Sequence, residues 1–267
     1  MRTIAVINQK GGVGKSTTAH ALGAGLFAQS ARVLFCDLDM QSNLSYACGV
    51  SNASLSAMQT LLGVAALEET LLDIQPPTAQ TSPLPSSIPC LHLLPGGPSL
   101  AGADMQIQDT GKEYRLTELL ASIQDRYDYA IIDTPPALGI LTINALTACD
   151  GVIVPAQADI YSLQGIGQLH GTLSAVQRYT NPRLVVLGVL LTRYSPRAVL
   201  SRDITILMED TAQQLDTQVF DTRIRECIAL REAQASQQDI FTYAPKSNAA
   251  QDYTTLIGEI LERIQPQ

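Results

Sequence analysis

At 267 residues and 46% hydrophobic, the chain has enough apolar side chains for a sizeable core, and one α/β unit spanning 1–267 is the expected organisation. A formal net charge of -8 argues against a globally basic coat for nucleic acid, so any DNA contact has to be local. Cys36, Cys48, Cys90, Cys149 and Cys227 include no C-x-x-C pair and suggest neither a zinc site nor a disulfide framework, which fits reduced thiols in a cytoplasm.

In chain order, MRTIAVINQK opens with an apolar run too short for a signal peptide or a membrane span, which gives a cytoplasmic expectation. Residues 3–7 read as a strand. NQKGGVGKSTT follows at 8–18 and almost fits the phosphate-loop pattern G-x-x-x-x-G-K-[ST]; Gln9 stands where the first glycine is expected, and an additional lysine, Lys10, comes just after it. Gly11, Gly12 and Gly14, with Val13 among them, let the backbone curl so that successive N–H groups face a polyphosphate at the positive end of the next helix. In that pattern Lys15 reaches the β- and γ-phosphates and the Ser16 hydroxyl ligates Mg²⁺. Residues 15–29 carry Ala19, Leu22, Leu26 and Phe27 at helical spacing.

RVLFCDLDMQSN, from Arg32, reads as a buried strand (33–36) ending in Asp37 and Asp39. The Pro-, Ser- and Thr-rich stretch 75–89 reads as an exposed loop within the same unit. Residues 91–94 are a further strand, and YDYAIIDTPP from Tyr127 holds one (129–132) ending in Asp133. Strands at 152–154 and 184–191 complete an alternation with helices that predicts a mainly parallel twisted sheet flanked by helices on both faces, the α/β architecture of a P-loop NTPase. Ligands of such sheets collect at the carboxyl ends of strands, where Asp37, Asp39 and Asp133 fall. Capping of the following helices explains one of these acids more comfortably than all three.

The segment from Arg183 to Arg231 carries Arg183, Arg193, Arg197, Arg202, Arg223, Arg225 and Arg231, giving +1 there against -9 for the remainder. Such arginines suit phosphate contacts or pair with neighbouring acids as a solvated surface. At the end, Tyr253, Leu256, Ile257, Ile260, Leu261 and Ile264 form one helical stripe over 249–264. Asp252, Glu259 and Glu262 against a single Arg263 make it a core-packing stripe rather than a membrane-surface helix. His20, His92 and His170 have no ligand spacing.

KGGVGKST, DLDMQSN, IIDTPPALG and GVIVPAQAD together resemble the ParA/Soj family of partition ATPases, within the deviant Walker A group that includes MinD. The likeness runs from residue 2 through VFDTRIRECIALREAQ and YAPKSNAAQDY, and no helix-turn-helix segment precedes the loop, as in the short, Soj-like branch. The resemblance implies ATP and Mg²⁺ as cofactors, a homodimer in the ATP state, binding to DNA without sequence preference, a ParB-like centromere-binding partner that stimulates hydrolysis, no membrane, and nucleoid association in the ATP state. A MinD-like positioning ATPase is the alternative.

Carried over by residue, Lys10 resembles the signature lysine that crosses to the partner subunit's phosphates. Taken alone it reads as a solvated loop lysine; beside GGVGKST, the burial of several phosphate charges in an interface gives it work. Lys15, Ser16 and Thr17 then hold phosphates, Ser16 and Asp133 hold Mg²⁺, Asp37 supports the metal shell, and Asp39 orients the attacking water. The DNA candidates are Arg193, Arg197, Arg202, Arg223 and Arg225. Arg193 has a second reading, since Thr192-Arg193 stands where MinD-like relatives have Asn-Arg near adenine. Met40 and Ser42 depart from the family, where proline and glycine are common.

Overall fold

The computed structural model describes residues 1–74, 89–195 and 199–264, excepting the side chains of 199–203. The order begins β1 (Arg2–Val6), α1 (Lys15–Ala28), β2 (Val33–Asp37), α2 (Asn43–Ala47), α3 (Ala57–Leu61) and α4 (Leu67–Thr70). It continues through β3 (Leu72–Asp73), β4 (Leu91–Leu94), α5 (Ala103–Gln106), α6 (Arg115–Ser122), β5 (Tyr129–Asp133), α7 (Ile140–Ala148) and β6 (Gly151–Gln157). The chain then runs α8 (Ile160–Tyr179), β7 (Val185–Thr192), α9 (Val199–Gln214), α10 (Ile228–Ala235), α11 (Ile240–Tyr243) and α12 (Asn248–Arg263).

The strands form one sheet in the order β3-β4-β2-β5-β1-β6-β7, parallel throughout except for the two-residue β3. Central strands covered on both faces read as unbroken apolar runs, which explains VLFC and AII. Leu34, Cys36, Ala130 and Ile132 face one buried cluster, while Val33, Phe35 and Ile131 face the other. The expected strands are present; β6 and β7 extend past the expected ends, and β3 is an addition. The loop expected at 75–89 lies outside the described residues up to 88.

α1 is buried nearly all round because it is sandwiched between the sheet and α12. Its small residues allow this approach: a Cβ at Gly23 would come within 2.1 Å of the Phe35 ring, and one at Gly25 within 2.2 Å of Ile257. Tyr253 of α12 reaches Thr18 of α1 through a buried hydroxyl contact of 3.2 Å. The stripe Tyr253, Leu256, Ile257 and Ile260 is thereby used up in the core. No helix among the described residues is long and apolar enough to cross a membrane.

Parallel pairing sets the functional edge. Asp37 and Asp133 are register partners at the ends of β2 and β5, and β1 beside them ends in the loop that leads to α1.

Candidate nucleotide site

The loop between β1 and α1 curls because Gly12 (φ 75°) and Gly14 (φ 91°) take left-handed backbone, which costs a residue with a Cβ about 1–2 kcal/mol. Side chains pin the curl from outside. Asn8 accepts from the Lys10 N–H at 2.9 Å and donates to the Pro155 carbonyl at 2.6 Å. Gln157 donates to the Gly12 carbonyl at 3.0 Å, and Thr192 Oγ1 donates to the Val13 carbonyl at 2.8 Å. β6 and β7 thus hold the loop in shape.

A cavity of about 490 Å³ opens in front of this loop, lined by Gly11, Gly12, Gly14, Lys15, Ser16 and Thr17, and on the other side by Asp39, Gln41, Arg193 and Gln234. Thr17 accepts a hydrogen bond from Gln234 of α10 at 2.7 Å. A smaller adjoining cavity is bounded by Val13, Thr17, Thr192, Arg193, Ile224, Cys227, Leu230 and Tyr253. Arg193, itself at φ 48°, borders both cavities.

The electrostatics are unbalanced. Asp133 is fully buried, and neither of its oxygens has a hydrogen-bond partner. Burial, reinforced by the neighbouring Asp37 charge, pushes its carboxyl well above the usual range; the nearby Ser16 hydroxyl and Lys15 ammonium only partly offset this. Burial likewise pulls the Lys15 ammonium below the ordinary lysine range against Asp133 and Asp39, and its hydrogen bond is to the Lys10 carbonyl at 3.3 Å.

Asp37 is better satisfied. One oxygen accepts the Asp39 N–H at 3.0 Å, and the other accepts the N–H and hydroxyl of Ser45 at 2.8 and 2.7 Å. Burial still raises it to about 6 against the Ser45 and Asp39 hydrogen bonds. Its lone pairs hold α2 and the Asp39 backbone.

An orphaned carboxylate beside a hydroxyl and an ammonium fits a magnesium-bound polyphosphate. Among the described residues no three His, Cys, Asp or Glu side chains form a metal cage. Mg²⁺ suits such a sparse donor set, because it keeps several waters and takes phosphate oxygens as ligands.

Lys10 does not line the cavity. Its ammonium pairs with Asp159 at 2.5 Å and lies 5.9 Å from the centre of the Tyr161 ring. Asp159 also caps α8, accepting from the Ser162 N–H at 2.9 Å.

A family model described as an AAA domain matches residues 1–186. The chain is 36% identical over 260 residues to the sporulation initiation inhibitor protein Soj of Bacillus subtilis, covering 97% of this chain and 98% of Soj. It is 34% identical to the chromosome partitioning protein ParA of Myxococcus xanthus, over 100% of this chain and 90% of that protein. The chain belongs to the ParA/Soj family. Its fold also superimposes on cobyrinic acid a,c-diamide synthase from Mycobacterium smegmatis with bound ATP analog and magnesium, with a TM-score of 0.82, 35% identity, and coverage of 98% of this chain and 94% of that one.

Of the sequence-derived candidates, the structure gathers Gly11, Gly12, Val13, Gly14, Lys15, Ser16, Thr17, Asp39, Thr192 and Arg193 around the two cavities, with Asp37 and Asp133 behind them. Of the described DNA candidates, Arg193 and Arg225 both line the smaller cavity. Arg225 is bound to Asp252 at 2.6 Å, and Arg223 donates to the Tyr194 hydroxyl at 2.9 Å while lying over its ring. Arg197 and the side chain of Arg202 lie outside the described residues. Sequence reasoning missed Asn8, Gln157, Asp159 and Gln234. Each lay in a stretch already singled out, Asn8 in NQKGGVGKSTT, Gln157 and Asp159 in GVIVPAQAD and Gln234 in ALREAQ, but the partners of the first three, some 145 to 149 positions away, left no spacing to read.

Proposed function

We propose that this chain is an ATP-driven partition switch that dimerises on ATP, binds DNA without sequence preference in that state, and is reset when a ParB-like partner stimulates hydrolysis. The observation that carries the reading is the position of Lys10. A second loop lysine is paired with Asp159 and does not line the cavity of its own chain, which supports a role toward a partner subunit's nucleotide rather than its own.

In this reading the loop N–H groups and the start of α1 bind the triphosphate, and Lys15 neutralises its terminal phosphates. Ser16, with Asp133 behind it, holds Mg²⁺, which supplies charge stabilisation at the phosphoryl oxygens. Asp39 orients the attacking water from the cavity wall, and Asp37 fixes the backbone of Asp39. Phosphoryl transfer needs positioning and charge rather than a nucleophilic side chain. Thr192 and Arg193 serve the nucleotide, a role supported by Arg193 bordering both cavities and Thr192 the smaller one.

The local arginine excess of 183–231 supplies salt-sensitive contacts to DNA phosphates, doubled in a dimer. The protein then works in the cytoplasm, on the nucleoid when ATP is bound. Burial of the α12 stripe speaks against a MinD-like membrane reading. The likeness to the Mycobacterium smegmatis synthase favours one other reading, an ATP-dependent synthase; hydrolysis stimulated by DNA and a partner protein, and indifferent to acid substrates, separates the two.

The test is DNA retention across a salt series with ATP, ADP or no nucleotide, for wild type and Lys10→Ala. Salt-sensitive retention confined to ATP, and lost in the variant, is expected. Equal retention in all nucleotide states contradicts the switch.

A further inference from the structure

Asp39 lies in a short loop between β2 and α2, and an acid that orients water needs its backbone held. That support comes from a buried knot outside the phosphate loop. Ser42, the residue before α2, takes a left-handed conformation (φ 53°) and offers no side-chain cap. The free N–H of Ser45 in the first turn of α2 is met instead by Asp37, reaching over from the end of β2. The Ser45 hydroxyl donates to the same Asp37 oxygen at 2.7 Å and accepts the Gly96 N–H at 2.9 Å. The other Asp37 oxygen takes the Asp39 N–H at 3.0 Å.

This one hydroxyl therefore joins three segments: the end of β2, α2, and the turn after β4. The turn comes so close that a Cβ on Gly96 would stand 2.8 Å from the Asp37 carboxyl carbon and 2.8 Å from the Asp39 carbonyl oxygen. Ser45 is 2% exposed, so water does not replace its hydroxyl if it is removed.

We propose that Ser45 is a positioning residue for hydrolysis, fixing Asp39 through Asp37, and that Gly96 is required for the same knot to close. Ser45 lines neither cavity of the nucleotide site and acts only through its neighbours. The inference rests on the proposed role of Asp39. Its consequence is a separation of effects: loosening the knot slows hydrolysis more than it weakens nucleotide binding, because the loop from Gly11 to Ser16 is held by Asn8, Gln157 and Thr192, while α2 adds only Asn43, Tyr46 and Ala47 to the cavity wall.

The test is single-turnover ATP hydrolysis with excess protein and Mg²⁺, alongside the affinity for a fluorescent ATP analogue and the thermal transition, for wild type, Ser45→Ala, Gly96→Ala and Asp39→Ala. Ser45→Ala and Gly96→Ala are expected to lower the rate by roughly tenfold or more, as expected when a positioning contact is lost, with analogue affinity within about twofold of wild type. The two substitutions attack the knot from opposite sides, so one folded variant suffices. Wild-type rates in the folded variants, with Asp39→Ala inactive, overturn the inference alone. Parallel losses of rate and affinity overturn it as well. A wild-type rate in Asp39→Ala overturns the role of Asp39 and the inference with it.

Discussion

Asp133→Asn should stabilise the protein in the absence of nucleotide while removing what nucleotide adds. The carboxylate is fully buried, and neither oxygen finds a donor. Leaving a buried polar group unsatisfied costs about 1–3 kcal/mol, and more when it is charged. The amide is nearly the same shape, so the substitution opens no cavity; it removes the charge, together with its repulsion of Asp37. Lys15 loses one favourable neighbour and keeps Asp39. Taking about 2 kcal/mol as the net gain, and about 3 °C per kcal/mol for a chain of this size, the melting temperature rises by roughly 6 °C. Differential scanning calorimetry in a chelating buffer reads this directly. Adding magnesium and ATP then reverses the order: at a hundredfold excess over its dissociation constant, a ligand stabilises by about 2.7 kcal/mol. That gain belongs to the wild type. If Asp133→Asn melts at or below the wild type in chelator, the carboxylate is not the unbalanced charge described above.

Three further outcomes are expected. Asp159→Asn keeps the cap on α8, since asparagine caps as well as aspartate, but releases Lys10 from a half-exposed ion pair worth about 1 kcal/mol or less; ATP-dependent self-association should tighten by up to about fivefold per protomer, and weaker association contradicts the tether. Ser42→Gly relieves a left-handed backbone and should raise the urea midpoint by the equivalent of up to about 1 kcal/mol; a lower midpoint refutes the strain. Burial pushes His20 down to about 4, so the unfolded chain binds a proton before the native state does, and this contribution to stability is intact above about pH 6.5 and fades as pH falls towards 4. Between pH 7.5 and 5 the urea midpoint of wild type should therefore drop further than that of His20→Gln, and equal drops contradict the reading.

The features legible in the sequence are those that depend on local pattern. The phosphate loop, the apolar central strands and the acids at their ends are short-range signals, and each recurs where expected. β3 was invisible because two residues carry no periodicity. Ser42 was noticed as a departure from the family, but its left-handed φ, a backbone that favours glycine, became visible only in the structure. The knot of Asp37, Ser45 and Gly96 joins residues up to 59 positions apart, and the Lys10–Asp159 pair spans 149. Such contacts are set by tertiary packing and leave no spacing to read. The arginines show the converse: their charge is plain in the sequence, while the engagement of Arg225 by Asp252 and of Arg223 by Tyr194 is not.

The central claim is that ATP joins two copies of this chain through Lys10. Sedimentation velocity of the Asp39→Ala variant, in which hydrolysis is expected to be slow, with magnesium and saturating ATP, tests it most directly, with Lys10→Ala in the same background as the companion. A dimer with ATP, a monomer with ADP, and a monomer with ATP once Lys10 is removed are the predicted results. A monomer in every nucleotide state, or a dimer indifferent to Lys10, contradicts the account.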